Sequence, residues 1–176
     1  MKKIAAGSGT AMPPPLPAAS RRVAQASRPR RVLLVASGGG HWVQLLRLQA
    51  AWEGADVAYV TVQQSYRSEV PEARFYCVHD ATRWSRWGLL RMALQVAAVV
   101  VRERPDVVIT SGAAPGVVAL RVGKWLGART AWVDSIANVD ALSLSGQRVA
   151  PYADLQLTQW QHLETSSGAE FKGSVL

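Results

Sequence analysis

From residue 31 onward, short apolar runs alternate with longer stretches whose apolar positions recur at helical spacing. Val32 to Ala36 reads as a buried strand and Val43 to Ala51 as an amphipathic helix. Ser37, Gly38, Gly39, Gly40 and His41 fill the turn between them. "DVAYVTV" (56–62) predicts a second strand and "ARFYCV" (73–78) a third, with Pro71 marking the intervening loop. Arg83 to Val101 supports a long helix, after which Pro105 introduces the strand "DVVITS" (106–111). Pro115 to Leu126 forms the next helix, closed by Gly127, and "ARTAWVDS" (128–135) gives another strand. One further strand is expected near the end of the chain, before a turn at Gln159 and Trp160. This alternation predicts an α/β domain, a parallel sheet with helices on both faces. Ligands of such sheets bind beyond the carboxyl ends of the strands.

Composition narrows the picture. The 176 residues suit one domain, and 49% hydrophobic content is ample for its core. Residues 1–30 form an expected flexible leader rich in Pro and Ala, with the folded domain spanning 31–176. Prolines in "AAGSGTAMPPPLPAA" break any signal-peptide core. Residues 1–31 hold seven of the 20 basic residues and none of the 12 acidic ones, so the charge of +8 describes a basic tail on a nearly neutral body. An anionic membrane surface suits that tail. Nucleic acid is not expected as a partner, because the body lacks a charged stripe with interleaved aromatics. No run approaches 18 apolar residues, so no transmembrane span is expected. Cys77, the one cysteine, is expected to be a buried strand thiol; it excludes a disulfide framework within the chain and leaves zinc without its usual thiolates.

Three strand ends carry the candidate chemistry: Ser37 to His41, Ser111 to Gly116, and Asp134 to Asn138. Parallel topology places them along one sheet edge. The glycines allow close approach to a phosphate or sugar and present N–H groups at a helix start, although neither a Gly-x-Gly-x-x-Gly nor a Walker pattern is present, and a plain structural turn is the alternative. Pro115 suits a helix start, and the small residues around it leave room. His41 can act as a general base, or it can cap a helix or position substrate. Asp134 can orient a substrate hydroxyl or a loop, or cap the following turn. Ser135 lacks the glycine elbow of an esterase nucleophile. The three histidines have no metal-ligand spacing, so no metal is expected.

"SGGGHWVQLLRL", "DVVITSGAAPG", "WVDSIANVDALSLSGQRVAPYADLQLTQWQHL" and the terminal "GSVL" occur in this order over residues 31–176. Together they resemble the membrane-associated, acceptor-binding subunits of split UDP-N-acetylglucosamine transferases, most closely the bacterial capsular and exopolysaccharide members. The resemblance implies the Rossmann-like amino-terminal half of an inverting GT-B glycosyltransferase, inactive alone. A small separate subunit would supply the carboxyl-terminal half and most of the nucleotide-sugar site, and no cofactor is implied. It assigns Ser37, Gly38, Gly39, Gly40, Gly112, Pro115, Asn138, Ser143, Ser145 and Gly146 to substrate or phosphate binding, with His41 and Asp134 as candidate catalytic groups. Many relatives have glutamate in place of Asp134, and eukaryotic members commonly have arginine in place of Asn138. The second difference favours a bacterial branch with its own acceptor.

The expected acceptor is a polyprenyl-diphosphate-linked saccharide of surface polysaccharide synthesis, met at the cytoplasmic face of the inner membrane. The alternative is a non-catalytic recruiting or scaffolding protein for a catalytic glycosyltransferase subunit. Arg83, Trp84, Arg86, Trp87, Leu90 and Arg91, in the first two turns of the long helix, are expected to touch the membrane, while the later turns pack on the sheet. Gln159, Trp160, Phe171, Val175 and Leu176 are expected at the partner interface, where aromatic anchors are favoured.

Overall fold

The computed structural model describes residues 28–81, 84–164 and 168–175. Among these residues seven strands form one sheet: β1 (Arg31–Val35), β2 (Asp56–Thr61), β3 (Arg74–Cys77), β4 (Val107–Thr110), β5 (Arg129–Val133), β6 (Leu155–Thr158) and β7 (Glu170–Phe171). Their order is β3-β2-β1-β4-β5-β6-β7, and every pairing is parallel. Strand β1 sits between β2 and β4, with Leu34 opposite Tyr59 on one side and Ile109 on the other. It is covered on both faces, which is why it reads as an unbroken apolar run. The chain reverses its direction of travel across the sheet between β1 and β4. Such a reversal opens a crevice at the carboxyl edge.

Among the described residues four α-helices, α1 (Gly40–Arg47), α2 (Arg86–Glu103), α3 (Ala113–Trp125) and α4 (Leu144–Val149), divide unequally between the faces. Met92, Val96 and Val100 of α2, Ala119 and Leu120 of α3, and Val149 of α4 pack with Leu33, Val35, Val60, Val108 and Trp132. On the opposite face Trp42 and Leu45 of α1 join Val32, Leu34, Tyr59 and Trp52. Trp42 is fully buried and stacks on Tyr66 at 4.8 Å. Its burial contributes about 1.5–3 kcal/mol. On this second face Val107 and Ile109 are only half-buried, and Leu155 is exposed.

Element boundaries follow local chemistry. Gly39, at φ 64°, turns the chain into α1 three residues before the apolar pattern begins. The helix ends at Arg47, where the Leu48 amide bonds back to Leu45, and the tighter turn Gln49–Trp52 delivers Trp52 to the core. Ser85 caps α2 by accepting the Gly88 N–H, and Arg104 closes it in a left-handed conformation before Pro105. Cys77 departs from expectation. It ends the edge strand β3 and is exposed, because among the described residues no further strand shelters that border.

Candidate functional site

The loops after β1, β4 and β5 meet at the carboxyl edge, and α1 joins them. The His41 ring Nδ1 lies 2.8 Å from the Ser111 carbonyl oxygen, while the Ser111 hydroxyl donates to the His41 carbonyl at 2.6 Å. A carbonyl only accepts, so Nδ1 of the neutral ring carries the proton and Nε2 keeps its lone pair. The ring rests on the Gly112 backbone, at φ 138° and ψ −173°. A Cβ on Gly112 would fall 2.6 Å from His41 Cε1. Only glycine accommodates both that backbone and that contact.

In the first loop, the Gly39 N–H donates to the Tyr66 hydroxyl at 2.9 Å. The Gly40 and His41 amides begin α1 and have no preceding turn to bond. The Ser37 carbonyl accepts from Thr61. In the third loop, Asp134 is 2% exposed and accepts from the Ser143 N–H at 2.8 Å, from Asn138 Nδ2 at 3.3 Å and from Trp132 Nε1 at 3.4 Å. Its carboxylate thus braces residues 135–143. Ser143 caps α4 by accepting the Gly146 N–H, with Gly146 buried and Ser145 half-exposed. Pro115 is buried in the first turn of α3.

Sequence reading placed Ser111 on this edge without a role of its own, and missed Gln44 and Tyr66. Gln44 was the legible one, a polar residue at a core-facing position of an apolar helix. Its Nε2 donates to the Asp134 carbonyl at 2.9 Å and the Val133 carbonyl at 3.3 Å, and its Oε1 accepts from the Ile136 N–H at 3.4 Å.

Shifted ionisations mark the opposite edge. The Arg31 N–H and then the Arg28 guanidinium hold the Asp106 carboxyl below its ordinary range, and Lys124 and then the Thr130 N–H do the same for Asp154. Burial, reinforced by Glu103, raises the Tyr76 phenol. The two aspartates brace strand starts, and Tyr76 ties β3 to the end of α2. Among the described residues no three His, Cys, Asp or Glu side chains gather as a metal site.

The remaining predicted residues lie on α2 and the tail. The helix begins at Arg86, later than expected, so Trp84 lies just before its Ser85 cap and Trp87 in its first turn; they are 87% and 83% exposed, beside exposed Arg86, Arg91 and Leu90. The exposed apolar row continues through Leu94 and Val101, so only one side of the later turns packs on the sheet. Gln159 is buried and accepts the Val175 N–H, while Trp160 donates to the Ile136 carbonyl. Phe171 and Val175 are half-exposed, and Arg47 bonds the Val175 carbonyl. Arg83 and Leu176 lie outside the described residues, as do residues 1–27 of the expected leader. Among the described residues no helix is long and apolar enough to cross a membrane.

A parallel seven-stranded sheet with a glycine loop at its point of reversal defines a Rossmann-like domain of the kind that forms the amino-terminal half of GT-B glycosyltransferases. MurG of Acinetobacter baumannii superposes with a TM-score of 0.62 at 13% identity, over 77% of this chain and 43% of that one. UDP-N-acetylglucosamine 2-epimerase of Rickettsia bellii superposes with 0.63 at 12% identity, over 84% and 46%. The chain spans less than half the length of either protein, and these likenesses concern the fold alone. Residues 48–175 match the family described as "Oligosaccharide biosynthesis protein Alg14 like". The UDP-N-acetylglucosamine transferase subunit ALG14 of Eremothecium gossypii is 30% identical over 167 residues, covering 77% of this chain and 75% of that protein. This chain belongs to the Alg14-like family of oligosaccharide biosynthesis proteins.

Proposed function

We propose that this chain is the membrane-recruiting, acceptor-side subunit of a two-component sugar-transfer system, and that a catalytic glycosyltransferase partner holds the nucleotide sugar. The observation that carries this reading is the match to a protein named as a transferase subunit, by a chain with the fold of half a GT-B enzyme. The acceptor is a polyprenyl-diphosphate-linked saccharide of surface polysaccharide synthesis. Trp84, Trp87, Leu90 and Leu94 enter the bilayer interface, and Arg86 and Arg91 meet anionic headgroups. Because Trp84 and the start of α2 with Trp87 follow β3, both tryptophans stand at the same edge as the cleft, so peripheral attachment at the cytoplasmic face brings the lipid-linked acceptor to the loops. Amides at the start of α1 and the small residues around Gly112 receive its phosphates and sugar, with Asn138, Ser143 and Ser145 along the third loop. The tail around Phe171 and Val175 contributes to the partner's contact.

In this reading the chain recruits and orients, and its partner performs most of the chemistry. A second role is favoured by one observation, the free Nε2 of His41 beside a hydrogen-bonded Nδ1. In that role His41 takes the proton of the acceptor hydroxyl as the hydroxyl attacks the sugar's anomeric carbon and the nucleotide diphosphate departs. Turnover by the co-purified pair, with labelled nucleotide sugar and lipid acceptor, tests it. His41→Gln is expected to lower kcat by about 10²–10⁴-fold if the imidazole is the base. Near-parental turnover leaves His41 as a positioning group and the subunit as a recruiter.

A further inference from the structure

Gln44 is 5% exposed, and both ends of its amide are engaged. It lies three residues after His41 on α1, so the two side chains leave the same side of the helix. His41 reaches the end of β4, at Ser111, and Gln44 reaches the end of β5, at Val133, Asp134 and Ile136. These two attachments fix how α1 is rotated over the strand ends. Eight residues are too few for a helix to hold itself in place without tertiary contacts.

From this we infer that Gln44 is a positioning residue that bolts α1 to the β5 end and thereby fixes the orientation and tautomer of the His41 imidazole. The inference rests on the reading of this loop edge as the acceptor site, but not on His41 being the base. Leucine at this position keeps the side chain's approximate bulk and leaves two buried carbonyl groups and one N–H without partners. Glutamate keeps an acceptor for the Ile136 N–H and places a carboxylate against the two carbonyl oxygens. In either case α1 keeps its apolar anchors Trp42 and Leu45 but loses its attachment to the β5 end, and the turn that carries His41 can rotate away from Ser111.

The test uses the full chain labelled with ¹⁵N-histidine, at a pH where the ring is neutral, and reads the two-bond proton–nitrogen pattern of His41. The parent is expected to show protonated Nδ1 and unprotonated Nε2, and Gln44→Leu and Gln44→Glu to show averaged tautomers. His162, whose Nε2 lies 2.7 Å from the Val139 carbonyl oxygen, should be unchanged and serves as the internal control for folding. In the transferase pair the same variants should lower kcat roughly 10–100-fold, as expected for a misplaced group, with little change in KM for the nucleotide sugar. An unchanged His41 pattern in the folded variants overturns the inference, and Gln44→Glu carries the test if Gln44→Leu does not fold. Averaged tautomers with parental turnover uphold the positioning role and remove His41 from the rate-limiting chemistry.

Discussion

Replacing Gly112 by alanine tests the geometry of the loop edge in one atom. The added Cβ would lie 2.6 Å from His41 Cε1 and 2.7 Å from Nδ1, inside any tolerable contact distance. The backbone at φ 138° and ψ −173° also belongs to a region that only glycine occupies readily. Backbone strain costs about 1–3 kcal/mol and overpacking of the ring a further 1–3 kcal/mol or so. The sum, about 2–6 kcal/mol, corresponds to a fall of roughly 4–24 °C in Tm for a domain of this size. Urea unfolding of the full chain measures it, and the double variant Gly112→Ala/His41→Ala separates the two parts. Removing the ring should return about 1–3 kcal/mol in the double-mutant cycle, leaving the backbone strain behind. Stability within about 0.5 kcal/mol of the parent, or a cycle without coupling, would refute the packing of His41 on Gly112.

Three other outcomes follow from separate parts of the molecule. The double variant Trp87→Ser/Leu94→Ser removes two exposed side chains from the outer face of α2; each is worth about 1.5–3 kcal/mol on burial, so flotation with anionic vesicles should weaken by at least tenfold, and unchanged flotation would remove α2 from the membrane contact. Asp154→Asn should destabilise the fold by roughly 0.5–1.5 kcal/mol at neutral pH, since the carboxylate is held by Lys124 and the Thr130 N–H. Because the native pKa of Asp154 is lowered, its contribution is fully present above the ordinary aspartate range and is lost as pH falls through the lowered native value; parent and variant should therefore converge on acidification, and a gap that persists there would contradict the assignment. Deleting residues 171–176 should weaken co-purification with the partner while leaving the circular-dichroism spectrum intact, and undiminished association would place the partner elsewhere along the loop edge.

The strands and their parallel arrangement were legible because buried central strands produce continuous apolar runs, as in β1, β2 and β4. The glycine loop was legible because three glycines and a histidine interrupt such a run. What the sequence could not show was which groups answer one another across the fold. Ser111 looked like one small residue among several, yet its carbonyl sets the His41 tautomer. Asp134 looked equally suited to substrate and to a cap, and the Asn138 and Ser143 donors that occupy it lie four and nine residues away. Gln44 bonds residues about ninety positions distant, a relation no local pattern encodes. The outer row of α2 was half legible. Trp84, Trp87, Leu90 and Leu94 stood out on one side, while Val101 blended into a nearly continuous apolar surface whose buried side only the packing separates.

Sugar transfer by the isolated chain, by its co-expressed catalytic partner, and by the two together is the most direct test of the two-component account. The assay supplies labelled nucleotide sugar and a polyprenyl-diphosphate-linked saccharide in anionic vesicles, and the product is identified by mass. The account predicts product only when both proteins are present, with the partner recovered on the vesicles only alongside this chain. Transfer by this chain alone, or equal transfer and vesicle binding by the partner without it, would contradict the account.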